Sequence, residues 1–299
     1  MAVVIVSPLA ACKLEVAVMG PWYNFPTPHS TYQHQRLAAL RSLISANIPC
    51  ILWGEDALQF SHSVPTGLFD QQVLVPDDYL EMAAMAIMTS IPQYSRIAQL
   101  SPAHIGLTRP SKGVPIFPKF VRLVHADIPE NEPFKLEPTP GHILLLPQSF
   151  FGLDVRSKER FQSLTLSPPF VEPNAGILVP KYHTFIEGLV EMLMNPPTGF
   201  DPYHIDSLLK HLIFLDYLLL YRIQPPEDDD EAEASLPPKG ILHPIEEEIL
   251  SELMTDKAKW YLTIKFKTRS FVPVSDIISY NLKAQGKGQS SAVVRSFLL

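Results

Sequence analysis

Apolar residues recur along the chain at two spacings, and the switch between them divides its first third. Leu37, Leu40, Leu43 and Ile44 share one helical face while Arg36 and Arg41 lie toward the other, so a helix is predicted from Ser30 or Thr31 to about Asn47. Ile48-Pro49-Cys50-Ile51-Leu52-Trp53 is almost continuously apolar and ends at Gly54, the pattern of a buried strand that leaves through a tight turn. Glu55 to His62 reads as a short helix, Val64-Pro65-Thr66-Gly67 as its break, and Phe69 to Val75 as a second strand. Pro76-Asp77-Asp78 then opens a helix whose stripe is Leu80, Ala83, Ala84, Ile87, Met88 and Ile91, with the aspartates where the helix dipole favours negative charge.

Beyond this unit the pattern loosens. Phe120 to His125, Ile143 to Leu146 and Phe161 to Leu166 are strand candidates separated by proline-rich loops. Pro180 opens a predicted helix that aligns Phe185, Leu189, Met192 and Leu193. A longer one, from about Pro202 to Arg222, is apolar around most of its circumference and is expected to sit centrally in a helical part. Two prolines, the run Glu227-Asp228-Asp229-Asp230-Glu231 and Pro237-Pro238 mark 225–240 as a loop of like charges. A helix near Pro244 to Met254 follows, Trp260 to Phe266 fits helix or strand, and the end from Ala284 reads as a frayed tail. Ala2-Val3-Val4-Ile5-Val6 suits a buried strand or a loosely packed terminus. The division expected is an α/β domain over 30–179 and a helical C-terminal region over 180–299.

Composition adds bounds. Of 299 residues 46% are apolar, enough for a substantial core, and 30 prolines with only 18% charged residues imply many stiffened connections on a globular body. A net charge of −7 argues against broad affinity for nucleic acid or anionic membrane. Lys13 and Glu15 interrupt the apolar stretch Ala2 to Met19, so neither a membrane span nor a secretory signal is expected and an intracellular, cytoplasmic address is the default. Cys12 and Cys50 lie in apolar surroundings and read as buried thiols, too few for a disulfide framework or a zinc site. His204 and His211 stand one heptad apart without a third ligand at reliable spacing and read as structural. There is no Gly-x-Ser-x-Gly elbow, and Gly286-Lys287-Gly288 has no strand before it. Lys257, Lys259, Lys265, Lys267 and Arg269 interleave with Trp260, Tyr261 and Phe266, which suits a nucleic-acid or acidic-partner surface or, more simply, an amphipathic face whose lysines snorkel.

The chemistry concentrates in Trp53-Gly54-Glu55-Asp56-Ala57-Leu58 and in Leu68-Phe69-Asp70-Gln71-Gln72-Val73-Leu74-Val75. This order of strand, glycine turn, helix and carboxylate-bearing strand resembles the nucleotidyltransferase fold of the DNA polymerase beta superfamily. The Gly-Glu-Asp-Ala-Leu block is also similar to divergent, uncharacterised fungal members of that fold. The resemblance implies an α/β, or α+β, mixed sheet flanked by helices. It also implies a glycine turn that admits a triphosphate at a helix N-terminus, and alternate carboxylates on a strand that hold divalent metal.

On that pattern Gly54 takes the phosphate turn and Asp70 the first catalytic, metal-binding carboxylate. Glu55 and Gln72 fall on the remaining phosphate and metal positions, where Glu55 brings a negative charge and Gln72 only a neutral carbonyl oxygen for magnesium. Asp127 and Asp154 are the nearest candidates for a third carboxylate, the first just beyond a strand and the second in a loop. Glu55 and Asp56 have a second account as acidic residues in a helix's first turn. The reading that follows is a nucleotidyltransferase-like protein without activity, a pseudoenzyme that binds a nucleotide or a protein and needs no cofactor. The alternatives are magnesium-dependent transfer of a nucleoside monophosphate from a nucleoside triphosphate, and a purely structural or interaction protein.

Overall fold

The alternation of turn and apolar run around Gly54 builds the centre of a seven-stranded mixed sheet with helices on both faces. A computed structural model of the chain describes residues 30–98, 100, 119–128, 138–164, 176–197, 209–223 and 238–285. The features predicted at Ala2 to Val6, Cys12, His204, most of 225–240 and Gly286-Lys287-Gly288 lie outside these residues.

The first predicted helix is present as α1 (Ser30–Arg36) and α2 (Ala38–Ser45). Leu37 departs locally from helical geometry, yet Leu37 N donates to Gln33 O and Arg41 N to Leu37 O, so the hydrogen-bond ladder runs through the break. Asn47 ends the segment in the left-handed region at φ 55°, with Ile48 N reaching back to Leu43 O, a closure that asparagine tolerates well.

Strand β1 (Ile51–Trp53) leads directly into α3 (Gly54–His62), and β2 (Gln71–Val75) returns antiparallel to β1. Asp77–Tyr79 form one turn of 3-10 helix before α4 (Leu80–Ser90). The remaining strands are β3 (Tyr94–Arg96), β4 (Val121–His125), β5 (His142–Pro147), β6 (Phe161–Ser163) and β7 (Leu178–Pro180). Their order in the sheet is β3-β4-β5-β2-β1-β7-β6, with β5 parallel to β2 and β7 parallel to β1. Among the described residues five helices follow: α5 (Tyr182–Met194), α6 (Leu209–Ile223), α7 (Pro244–Glu252), α8 (Asp256–Thr268) and α9 (Val274–Ala284).

Several details differ from the pattern read along the chain. Pro180 closes β7 instead of opening a helix, because its extended backbone pairs with Phe161 and the helix begins at Tyr182. Trp260 to Phe266 is helical, within α8, where the Thr255 hydroxyl accepts from Ala258 N and caps the first turn. β3 and β7 are additional strands, and α9 is an additional helix.

Two buried clusters sandwich the sheet. Leu52, Val73, Val75, Leu123 and Leu145 face α2 and α4, whereas Ile51, Trp53, Leu74, Leu144 and Leu146 face the later helices α5, α6 and α8. Strand alternation assigns these sets, since successive side chains point to opposite faces. Trp53 is fully buried, with ring centroids 4.6 Å from Phe151 and 4.3 Å from Phe185. Gly188 of α5 gives the indole room: a β-carbon there would lie 2.8 Å from Trp53 Cη2.

The basic C-terminal stretch is tied into this helical layer. Lys257 pairs with Glu191, Lys265 with Asp216 and Arg269 with Glu246. Those three cations serve internal pairs, which leaves less charge for an outside partner. No helix among the described residues is long and apolar enough to cross a membrane.

Candidate functional site

Gly54 sits at φ +66°, a conformation that L side chains rarely adopt, and β1 thereby turns sharply into α3. The space above it is filled. A β-carbon on Gly54 would lie 2.7 Å from Gln72 Cδ and 2.9 Å from Gln72 Nε2, so the glutamine amide rests against the glycine backbone. Gln72 arrives there because β2 pairs Gln72 with Trp53, the residue preceding the turn.

Glu55 and Asp56 begin α3 as the dipole argument expects, yet both are buried, 3% and 0% exposed, so each needs a partner. Glu55 accepts from Gln72 Nε2 at 3.1 Å and takes the Lys210 ammonium at 2.8 Å from Oε1. Burial pushes the Glu55 carboxyl upward, and Lys210 offsets part of that push. Burial works against the ammonium too, but Glu55 and Asp70 outweigh it and hold Lys210 above its ordinary value.

Asp56 turns the other way, onto Arg36. The guanidinium forks onto the carboxylate, with Nη2 3.2 Å from Oδ2, and the same nitrogen donates to Phe69 O at 3.0 Å. Arg36, expected on the outer face of its helix, is therefore 1% exposed and ties α1 to α3.

Asp70 stands one residue before β2 and stays partly exposed. His142 Nδ1 lies 2.9 Å from Asp70 Oδ1, and an ionised carboxylate only accepts, so Nδ1 carries the proton. Burial opposes its charge, but His142, Lys210 and Arg122 together bring the Asp70 carboxyl below its ordinary value. On this sheet face Asp70 has His142 beside it, and Gln72 pairs with Leu144, which in turn pairs with Arg122.

The structure thus gathers Gly54, Glu55, Gln72 and Asp70 and adds Lys210, His142 and Arg122. Asp127 and Asp154 are elsewhere: Asp127 is exposed past the end of β4, and Asp154 accepts from Arg156 N at 3.0 Å in a surface turn. No group of three or more metal-ligating side chains occurs among the described residues. Cys50 is a free, buried thiol pushed up to about 12 by burial, which leaves it no thiolate for chemistry.

His211 is structural. It is 2% exposed, with its ring 5.9 Å from that of Phe151. Burial, helped by the charge of neighbouring Lys210, lowers it to about 3 from 6.5. A folded-state value below the unfolded one means that acid favours the unfolded chain, which takes a proton the folded chain refuses. The stability contributed is complete above pH 6.5 and is lost as pH falls toward 3. At pH 5 the loss from this residue is about 2 kcal/mol. Urea midpoints compared between pH 7.5 and pH 5 are expected to show it, and His211→Leu is expected to flatten the dependence. The part due to His62, lowered by burial to about 4, remains in that variant.

No protein-family model, curated protein or solved structure matches this chain.

Proposed function

We propose that the chain is a nucleotidyltransferase-like fold that has no transferase activity and works as a binding module. The order β1, Gly54 turn, α3 and β2, with Asp70 one residue before β2, supports this reading, because the resemblance implies a strand, a glycine turn, a helix and a carboxylate-bearing strand. The observation that carries the reading is what fills the cleft. The Gln72 amide covers Gly54 where a triphosphate would approach, and the Glu55 carboxylate lies in the first turn of α3 where phosphate would be drawn. His142, Leu144 and Arg122 stand beside Asp70 and Gln72 on the sheet face that would have to supply further carboxylates. One carboxylate with cations around it holds magnesium poorly, since that ion relies on charged oxygen ligands. A cleft closed by its own residues favours a protein partner over a nucleotide.

The experiment is a pyrophosphate-release assay on the full chain with each common nucleoside triphosphate, Mg²⁺ or Mn²⁺, and a panel of hydroxyl acceptors. The expected result is release no faster than in buffer and identical in Asp70→Ala. Release that depends on Asp70 restores the magnesium-dependent transferase.

A further inference from the structure

We infer that the cavity between the junction of α1 and α2 and the β3 side of the sheet is a binding site for a small organic carboxylate, anchored by the Arg36 guanidinium. The site uses none of Gly54, Glu55, Asp70 or Gln72, so it stands apart from the reading of the cleft.

The cavity measures about 230 Å³. That is below the roughly 300–1,000 Å³ of sites for drug-sized ligands, and too small for a nucleoside triphosphate. Arg36, Gln35, Gln93, His125 and Thr139 give it a polar lining that contains one cation and no carboxylate, while Ala38, Ala39, Ile91 and Pro140 give it apolar wall. Such a lining suits a ligand with an anionic end and an apolar body.

Arg36 sets the preference for an anion. Its Nε and Nη2 are taken by Asp56 and Phe69 O, which leaves Nη1 as the nitrogen without a hydrogen-bond partner among the described residues. The residue is only 1% exposed, and it lines this cavity, so the surface it keeps is available there. Asp56 neutralises part of the charge, yet it also holds the guanidinium in place, so a ligand need not order a long side chain in order to use it. His125 adds a second oriented donor. Asp127 N donates to His125 Nδ1 at 3.3 Å, which puts the ring proton on Nε2. Tyr94 stands edge-on to that ring with centroids 5.0 Å apart and donates to Pro140 O at 2.6 Å, tying two parts of the wall together. Gln35 and Gln93 are exposed, so the cavity opens to solvent.

The test is isothermal titration of the full chain with benzoate, and with benzamide as an uncharged probe of the same shape. Benzoate is expected to bind wild type with a Kd of about 0.1–1 mM, and benzamide about tenfold more weakly or less. Ala38→Leu, which fills the cavity, is expected to weaken benzoate about tenfold or more while circular dichroism stays that of wild type. Arg36→Met/Asp56→Leu removes the guanidinium together with its partner and is expected to bind benzoate no better than benzamide. His125→Phe keeps the ring and the Arg36–Asp56 pair but removes the donor, and is expected to weaken benzoate roughly tenfold. Absence of saturable benzoate binding to wild type at about ten times that Kd range overturns the proposal. Benzamide binding as tightly as benzoate overturns it too, as does full benzoate affinity in folded Ala38→Leu. Where Arg36→Met/Asp56→Leu does not fold, His125→Phe decides, and unchanged benzoate affinity in that variant overturns the site.

Discussion

Arg36→Ala is expected to lower folding stability by about 3–5 kcal/mol, the cost of leaving one member of a buried ion pair alone. Asp56 is 0% exposed, and its carboxylate has the Arg36 fork as its charged partner. The arginine also donates to Phe69 O, which positions the chain just ahead of Asp70, so its loss removes a hydrogen bond from the backbone next to the site. The charge on Arg36 is secure: burial disfavours it, but Asp56 outweighs burial and keeps the guanidinium protonated. Urea denaturation measures the effect. The paired substitution Arg36→Met/Asp56→Leu is expected to recover much of the loss, because it removes both desolvated charges together. Equal losses in the single and double variants would mean that Arg36 acts by filling space.

Trp53→Ala is expected to cost about 3–5 kcal/mol as well, by a different route. The indole is fully buried at the junction of sheet and helices, against Phe151 and Phe185 at 4.6 and 4.3 Å between centroids. Its neighbours belong to a 3-10 turn and to α5, so the cavity opens between elements that are distant in sequence. Gly188 can supply no side chain to collapse into the space, which favours the upper part of the range. Trp53→Phe is expected to lose much less, since a smaller ring keeps most of the contact. Chemical denaturation with an unchanged m-value distinguishes a destabilised native state from a change in the unfolded chain.

The sheet centre was legible because long apolar runs and one glycine state it locally. Ile51, Leu52 and Trp53 are all buried, and Leu144, Leu145 and Leu146 likewise, as a strand covered on both faces requires. β3 and β7 have three residues each, too few to display an alternation, and Pro180 in β7 carries the stronger signal of a helix start. Arg36 was placed on an outer face because helical periodicity sees one helix and not the α3 carboxylate that approaches it from twenty residues away. The candidate site divides the same way. Gly54, Glu55, Asp70 and Gln72 come from one short stretch and were found there, while Lys210, Arg122 and His142 were not. Their signal was a polar residue set among apolar ones: Lys210, beside His211, in a helix rich in leucine, Arg122 between Val121 and Leu123, His142 ahead of four apolar residues. Such a residue marks a buried partner without naming it, since the partner is set by tertiary packing.

The central claim is that the cleft beside Gly54 is closed by Gln72, Glu55 and Lys210 and leaves no place for a metal-bound triphosphate. Isothermal titration of the full chain with ATP, GTP, CTP and UTP in excess MgCl₂ tests it most directly. The predicted result is no saturable heat with any of the four. Saturable, magnesium-dependent binding that Asp70→Ala abolishes would contradict the account and place an open nucleotide site where this structure has an ion pair.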